Sequence, residues 1–396
     1  MKAAIPELTL MTDETLKKLP LDAIHRELGG KMVPFAGYEM PVQYPLGVMK
    51  EHLHVREKAG LFDVSHMGQA WLTTKAGPLG TAEAHKAIAE TIEQLVPGEI
   101  QKLATGRIRY TVLLNEEGGV LDDLMITRPS TEEDQGRLFL VVNAAVKDQD
   151  FALIREKLGH IAILDVMEDR ALLALQGPLA AEILSTFIPE AESMPFMSSI
   201  DTFFDGMPIG LSRCGYTGED GYELSVPAEE AELVARRLID HVAVEPIGLG
   251  ARDSLRLEAG LCLYGHDMDT ATSPVEANLN FSIGKRRREE GDFPGAERIL
   301  KDLKEGTGRL RVGLKPEGRA PAREGTEIQS PDGKTIGTVT SGGFGPTYGG
   351  PLAMGYVDAA FAEEGAGVML IVRGKPVPAS VVPTPFVPQR YYRGKK

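Results

Sequence analysis

The chain has few cysteines, no long apolar run and no excess of positive charge. Its 396 residues include only Cys214 and Cys262, which excludes a disulfide framework and a thiol-based metal cluster. No apolar stretch approaches the roughly 20 residues that a membrane-spanning helix needs. The net charge of -14 argues against a general nucleic-acid surface, because phosphate binding requires a basic footprint. We therefore expect neither a membrane nor a nucleic acid as partner.

Several common motifs are missing as well. The sequence has no G-x-G-x-x-G fingerprint in a βαβ unit, no G-x-x-x-x-G-K-[ST] loop and no G-x-S-x-G elbow. We expect no metal site, because His52 and His54 lie two residues apart and so face different ways on a helix. Even with His66 included, no carboxylate or cysteine lies at the spacing of metal ligands. The first 20 residues resemble neither a signal peptide nor an Arg-rich transit peptide, so we expect a cytoplasmic protein.

The length and pattern of the chain predict two or three domains. The first part alternates helices with strands that are joined by hairpins, which favours a mixed α+β arrangement over a doubly wound parallel sheet. From residue 309 to residue 386, short β-prone runs between Gly and Pro turns predict a small barrel or sandwich. We expect α+β parts over residues 1–160 and 161–290, which can be interleaved in sequence, and a β domain over residues 305–396.

One stretch stands out, "GGVLDDLMIT" at residues 118–127, because two carboxylates interrupt an apolar strand. Asp is disfavoured in strands, and an ionised carboxylate among apolar side chains needs partners or a shifted pKa. Successive strand residues point to opposite faces, so Asp122 and Asp123 are not expected to work as a side-by-side pair. One would face a pocket, and the other would face water or a structural partner. A satisfied polar pair near a sheet end is an equally good interpretation of this stretch alone.

Other candidates lie near this hairpin. Tyr110 lies on its first arm, and Asn143 ends the next predicted strand, "LFLVVNA". A terminal Asn can instead cap the following helix, which is a strong alternative. The stretch "GLFDVSHMGQAWLTT" at residues 60–74 has the period-two pattern of a strand that enters a turn-like "HMG". Met67 in this turn is a candidate for an adaptable apolar wall of a pocket, or for part of a core strand.

A second hairpin carries "CGYTGEDGYE", with "TGEDG" as its turn. Tyr216 and Glu223 bracket this turn, so both can project from the same end of a sheet. Glu223 shares a strand face with Ser225, and an exposed strand face is the alternative.

Basic residues offer a further contact for an anion. Arg252 and Arg256 lie four apart on a predicted helix and should form one basic spot suited to a carboxylate. Ion pairs with Asp253 or Glu258 are the alternative. The charge run at residues 284–292 predicts a solvated face. Together the candidates fit the binding and orienting of a polar heterocyclic ligand more than covalent attack.

The segments "FDVSHMG", "GGVLDDL", "CGYTGEDGYE", "ARDSLRLEAGLCLYG", "SPVEANLNFSIGKRRR" and "PFVPQRYY" together resemble the glycine cleavage system T-protein family. They run in order over nearly the whole chain. The resemblance implies an α+β three-domain cloverleaf around a central folate channel, with two mixed α/β domains built on antiparallel sheets and a C-terminal β-barrel. It also implies a tetrahydrofolate-dependent aminomethyltransferase that receives its one-carbon unit from a lipoyl-bearing H-protein and releases ammonia.

The resemblance assigns roles to single residues. Asp123 corresponds to the catalytic carboxylate, Glu223 to the acid that grips the pterin, and Arg252 to the arginine near the folate. The remaining positions implied to line the folate site are Tyr216, Tyr110, Asn143, Met67, Phe281, Arg390 and Tyr391. Phe281 stands where other members of the family carry Trp, which would alter the pocket lining and not the chemistry.

Two other functions compete with this interpretation. A folate-dependent demethylase of the same fold would act on a free small molecule. Its folate site would resemble that of the aminomethyltransferase in sequence. A folate-binding accessory protein would lack transferase activity. The accessory branch typically shows a "KGCYxGQE"-like stretch, whereas this chain has "RCGYTGEDGYE", which counts against it.

Overall fold

The computed structural model describes residues 16–394. Within this range the α-helices are α1 (Asp22–Glu27), α2 (Val48–Glu57), α3 (Ala82–Ile92), α4 (Lys147–Leu158), α5 (Ala180–Ser185), α6 (Ala231–Ile239), α7 (Leu249–Glu258), α8 (Lys285–Glu290) and α9 (Ala296–Glu305). The strands of the first half are β1 (Lys31–Phe35), β2 (Tyr38–Gln43), β3 (Ala59–Asp63), β4 (Gly68–Thr74), β5 (Ile108–Leu114), β6 (Val120–Thr127), β7 (Arg137–Val142), β8 (Ala162–Val166) and β9 (Arg170–Gln176). The later strands are β10 (Ser198–Phe204), β11 (Met207–Arg213), β12 (Gly221–Pro227), β13 (Val244–Pro246), β14 (Arg309–Pro316), β15 (Glu327–Gln329), β16 (Thr335–Gly345), β17 (Gly350–Asp358), β18 (Gly367–Val372) and β19 (Lys375–Val382).

The aspartate-bearing hairpin lies in a five-stranded antiparallel sheet with the order β5-β6-β7-β4-β8. The predicted hairpin is confirmed, with Val112 opposite Asp123 across β5 and β6. Helices α3 and α4 cover one face of the sheet, and Ile88, Ile92 and Ile154 pack against the apolar residues of that face. Asp122 points to the same face as Leu124, because alternate strand residues share a side.

The second hairpin is also confirmed and lies in a six-stranded sheet with the order β10-β11-β12-β9-β3-β13. One edge of this sheet departs from the antiparallel arrangement that the resemblance implies. Strand β13 runs parallel to β3, with Val244 opposite Ala59. The long connection from β3 to β13 allows this pairing, since parallel neighbours need a crossover that a tight hairpin cannot supply.

The predicted single strand over residues 60–74 is wrong, because two strands of two different sheets occupy it. Leu61 in β3 pairs with Leu175 in the six-stranded sheet, whereas Trp71 in β4 pairs with Phe139 in the five-stranded sheet. A turn separates them, in which the amide of Met67 donates to the carbonyl of Val64 at 3.0 Å. Both strands have apolar sequence patterns, so the local pattern alone does not reveal which sheet each strand joins.

Residues 309–382 form a closed six-stranded antiparallel barrel with the order β14-β17-β16-β15-β18-β19. The barrel, and not the sandwich, is therefore the correct alternative of the two. Leu314, Ile328 and Leu370 fill its interior without any exposed surface. Closure removes the unpaired edges that an open sheet of this size would leave.

The charge run at residues 284–292 forms α8, and the prediction of a solvated face is wrong for its central residue. Arg287 is 1% exposed and donates to the carbonyl of Glu93 at 2.6 Å. Arg286 bonds the Glu93 carboxylate at 2.5 Å, so two neighbouring arginines anchor this helix to the end of α3. Among residues 16–394, no helix is long and apolar enough to cross a membrane.

The predicted division of the chain into domains stays a prediction. Strand β3 lies within the first predicted part, yet it pairs with β9 and β13 from the second. The sheets thus draw strands from across the expected boundary near residue 160.

Candidate functional site

Asn143 joins the two aspartates of β6. Its Nδ2 donates to Asp122 Oδ1 at 2.9 Å and to Asp123 Oδ1 at 2.7 Å, and its backbone amide donates to Asp122 Oδ2 at 2.9 Å. The side chain of Asn143 makes no cap bond to the following helix, so the capping alternative is wrong. The aspartates point to opposite faces, as the strand geometry requires, but one amide couples them.

The surroundings of both carboxyls favour their neutral forms. Burial and the nearby charge of Asp122 raise the pKa of Asp123, hydrogen bonds from Tyr110 and Asn143 lower it, and the net result is a pKa of about 7. Burial also raises the pKa of Asp122 to about 6. A carboxyl that titrates near neutral pH is suited to proton transfer and to switching between donor and acceptor.

Aromatic side chains extend this site toward the surface. The Tyr110 hydroxyl lies against the Asp123 carboxylate, and the Tyr110 ring stacks on Phe281 with centroids 5.6 Å apart. Phe281 is 65% exposed, which is unusual for a large apolar side chain. The stacked pair therefore presents an aromatic surface beside the partly buried carboxyl of Asp123.

A second group of polar residues lies on the six-stranded sheet. Glu223 is opposite Ala174 across β12 and β9, and this face packs toward helix α7. The thiol of Cys214 donates to Glu223 Oε2 at 3.4 Å. Burial raises the pKa of Glu223, and the charge of Arg252 on α7 lowers it. Among residues 16–394, Arg252 forms no ion pair or hydrogen bond through its guanidinium, which leaves its donors for a ligand.

Tyr216 connects the two groups. Its hydroxyl donates to the carbonyl of Cys262, and the guanidinium of Arg252 lies 4.8 Å from the centre of its ring. Burial raises the pKa of Tyr216, and the charges of both Asp123 and Arg252 act on its hydroxyl. Cys262 packs in the same cluster as Tyr110. A continuous set of side chains thus runs from Asp123 to Glu223.

The expected single basic spot on α7 is wrong. Arg256 is 3% exposed and bonds Asp267 Oδ2 at 2.7 Å and Asp253 Oδ1 at 2.9 Å. The ion-pair alternative is therefore correct for Arg256, whereas Arg252 faces Tyr216 and Glu223. Residues four apart on one helix can still meet different partners when one of them is buried.

The remaining candidates lie around these groups. Met67 packs against the apolar cluster that contains Phe62 and Leu255, on the face of the sheet that carries Glu223. Arg390 donates to Glu219 Oε1 at 2.6 Å, beside the turn of the second hairpin, and to the carbonyl of Arg56. Their roles in binding stay predictions.

Tyr391 follows Arg390 and lies flat against Phe196, with ring centroids 3.9 Å apart. Burial raises the pKa of Tyr391 to about 12, although the nearby charge of Arg56 lowers it, and Glu219 in the turn of the second hairpin is close enough to act on it. The C-terminal segment therefore approaches the end of the six-stranded sheet that carries Cys214 and Glu223. The role of Tyr391 in binding also stays a prediction.

Sequence reasoning missed two residues of this arrangement, Cys214 and Asp150. Asp150 lies on α4 and its carboxyl contacts that of Asp122. Its spacing to Ile154 and Leu158, four and eight residues on, places it on the apolar face of the helix, which was a usable signal. Cys214 lies at the start of the hairpin turn, where the sequence gives no sign of a carboxylate partner.

Comparisons with known proteins agree along the chain. The GCVT N-terminal domain model matches residues 21–287, and the glycine cleavage T-protein C-terminal barrel domain model matches residues 309–388. Aminomethyltransferases named as mitochondrial, from Dictyostelium discoideum and Gallus gallus, are each 45% identical. These alignments cover 95% and 96% of this chain and 94% and 95% of the relatives.

A solved structure gives the same result. The glycine cleavage system aminomethyltransferase T from Bartonella henselae is 43% identical and superposes with a TM-score of 0.87, covering 95% of this chain and 99% of that one. The mixed sheets and the closed barrel described above are thus found together in a related protein. This chain belongs to the glycine cleavage T-protein family.

Proposed function

We propose that this protein is a tetrahydrofolate-dependent aminomethyltransferase of glycine cleavage. It takes an aminomethyl group bound as a thioether to the lipoyl arm of a partner H-protein. The carbon–sulfur and carbon–nitrogen bonds of that group break, and its methylene carbon forms two bonds to folate nitrogens. The products are the dihydrolipoyl thiol, ammonia and 5,10-methylenetetrahydrofolate, and the two protons lost from the folate amines balance the thiol and the ammonia.

One observation supports this function above the others. A carboxyl that titrates near neutral pH, Asp123, is connected through Tyr110 and Tyr216 to a second, partly buried carboxyl and a guanidinium, Glu223 and Arg252. The arrangement has acceptors and donors for a polar heterocycle, but no nucleophile paired with a base. It therefore suits positioning and proton management in group transfer.

The residues present fit tetrahydrofolate. Ionised carboxylates only accept hydrogen bonds, so Glu223 matches the adjacent ring N–H and amino donors of a pterin. The Arg252 guanidinium has five donors and can meet a carbonyl or carboxylate of the same ligand. The folate, when bound, supplies the secondary amine nitrogens that take up the one-carbon unit.

The role of this chain in the reaction centres on Asp123. Its carboxylate accepts a hydrogen bond from the attacking amine and orients that nitrogen toward the methylene carbon. Its raised pKa also allows Oδ1 or Oδ2 to hold a proton removed from the amine. The stacked pair of Tyr110 and Phe281 forms an apolar boundary beside the carboxyl that limits the access of water.

A coupled assay tests the proposal. H-protein loaded with the aminomethyl group is mixed with the enzyme, and ammonia and methylenetetrahydrofolate are followed with and without tetrahydrofolate. We expect fast, folate-dependent ammonia release with methylenetetrahydrofolate formed in equal amount. Folate binding without either product would contradict it and favour the free-substrate demethylase or the accessory protein.

The partner and the location are part of the same proposal. The H-protein is the expected donor, because the family of this chain acts in the glycine cleavage system. We also propose that the protein is cytoplasmic, although the named relatives are mitochondrial. Fractionation of source cells with an antibody to this chain tests the location, and enrichment in an organelle would contradict it.

A further inference from the structure

Helix α4 places a third carboxyl behind the aspartate pair of β6. Asp150 is 2% exposed and shares the sheet-facing side of α4 with Ile154 and Leu158. Its carboxyl lies within hydrogen-bonding reach of the carboxyl of Asp122. Its Oδ2 has no hydrogen-bond partner among residues 16–394. A buried charged oxygen without a partner would be strongly unfavourable.

No cation neutralises this group of carboxyls. Among residues 16–394, no Lys, Arg or His forms an ion pair with Asp122, Asp123 or Asp150. Lys147 begins the same helix, but its Nζ donates elsewhere, to Tyr38 Oη at 2.7 Å and to the carbonyl of His66 at 2.8 Å.

Protonation must therefore reduce the negative charge of the group formed by Asp122, Asp123 and Asp150. Two carboxyls can form a hydrogen bond only when one of them is protonated, and like charges this close cannot both ionise easily. Burial and the charge of Asp122 together raise the pKa of Asp150 to about 10. Asp122 already accepts two hydrogen bonds from Asn143, which favour its ionised form. The proton thus resides on Asp150.

We propose that Asp150 is a positioning residue, whose neutral carboxyl donates to Asp122 and so holds the Asn143 amide that fixes the carboxylate of Asp123. The order of contacts is Asp150 to Asp122, Asp122 to Asn143, and Asn143 to Asp123. Asp150 itself touches no reacting atom in this arrangement. Its proton keeps Asp122 ionised, and the charge of Asp122 in turn keeps Asp123 titrating near neutral pH.

Only a few titratable groups lie near Asp150 within residues 16–394. Asp122 faces it from β6, whereas Asp123 points to the opposite side of the sheet and acts on Asp150 only through its charge. Tyr264 lies close enough for the charges of Asp122 and Asp150 to act on its hydroxyl. Tyr110 contacts the far side of the group at Asp123. The role of Asp150 in turnover rests on the proposed function, but its protonation does not.

Kinetic variants test the positioning role. Asp150→Asn keeps a donor to Asp122 and adds no charge, so we expect a kcat within about threefold of wild type and an unchanged midpoint of the pH–rate profile. Asp150→Leu removes the donor and favours protonation of Asp122, so we expect a loss in kcat of about 10-fold to 100-fold. The pH midpoint should also move to lower pH in Asp150→Leu, because Asp123 loses a neighbouring charge.

The control is Asp148→Asn, which removes an exposed carboxyl from the same helix and should change neither quantity. A lower pH midpoint in Asp150→Asn would show that Asp150 is normally ionised and would overturn the proposal. An unchanged profile in a folded Asp150→Leu would overturn it as well.

An infrared measurement tests the proton without any activity. At pH 8.5, above the raised pKa of both Asp122 and Asp123, we expect these two groups to be ionised, so the difference spectrum between wild type and Asp150→Asn isolates the carboxyl of Asp150. We expect a carbonyl stretch of a protonated carboxyl in wild type that is lost in the variant. A carboxylate band in its place would overturn the proposal. Failure of wild-type turnover with this band present would refute the proposed function and leave the protonated Asp150 intact.

Discussion

The side-chain amide of Asn143 lies 2.7 Å from Oδ1 of Asp123, and the same nitrogen also bonds the neighbouring aspartate of the strand. Two carboxylates that point to opposite faces of a sheet are thereby coupled through one residue of the next strand. A change at either carboxylate should reach the other through its charge and through the orientation of this amide.

The first prediction separates the two aspartates. Asp123→Asn should lower kcat by about 100-fold to 10,000-fold, because it removes the group that handles the proton of the attacking amine. Asp122→Asn should lower kcat distinctly less, since Asp122 acts only on Asp123, through the Asn143 amide and through its charge. Steady-state turnover with loaded H-protein measures both, and circular dichroism confirms the fold. Equal losses in two folded variants would refute the assignment of Asp123.

The second prediction concerns pH. Burial and the charge of Asp122 raise the pKa of Asp123 to about 7, so its carboxylate forms as the pH rises from 6 to 8. We expect kcat to rise over this window and then to level off. In Asp122→Asn the midpoint should move to lower pH, because a neighbouring negative charge is gone. A profile of Asp123→Asn that keeps the wild-type midpoint would assign the titration to another group.

Both hairpins and the β-rich character of the C-terminal part could be predicted from sequence because their signals are local, whereas the choice of a barrel over a sandwich needed the family resemblance. Alternating residues and Gly-containing turns predict strands within a few positions, and the i and i+4 spacing of helices is equally local. The contact between Asp122 and Asp150 is different, since it depends on how α4 packs across the sheet. The burial of Arg287 likewise depends on the distant Glu93, so composition alone predicts solvent there.

The third prediction concerns folate affinity. Glu223→Gln replaces an acceptor by an amide that presents donors to the pterin, so the Kd for tetrahydrofolate should rise about 10-fold or more. The kcat at saturating folate should change less, because the group lies away from the transferred carbon. Isothermal titration measures the affinity, and Glu229→Gln removes an exposed carboxyl nearby as control. Unchanged affinity in Glu223→Gln would remove this residue from the binding site.

The fourth prediction concerns stability. Glu258 is fully buried and accepts hydrogen bonds from His52 and Arg56 at 3.0 Å each, and from the barrel amides of Thr347 and Tyr348. Removing one partner of a buried ion pair leaves an unpaired charge, so Glu258→Gln should lower the free energy of unfolding by about 3 kcal/mol or more.

Urea denaturation measures this change. Asp253→Asn on the same helix is the control and should cost less than about 1 kcal/mol, because its side chain is 59% exposed. Burial alone would raise the pKa of Glu258, but the bonds from His52 and its other partners lower it to about 2. Its contribution is therefore present above the ordinary pKa of 4.5 and is lost as the pH falls toward 2. A small loss at pH 7 in Glu258→Gln would contradict the prediction.

Strands β3 and β4 are separated by a short turn but belong to different sheets, and the partners of these two strands emerge from the ribosome at different times. The five-stranded sheet is complete once residue 166 has emerged, because all of its strands lie between residues 68 and 166. Strand β3 is made earlier but must wait for β9 and then β13, which ends at residue 246. Until then the growing chain carries β3 as an apolar strand without its sheet partners. We therefore expect a chaperone that acts on the growing chain to bind this exposed strand, residues 59–63.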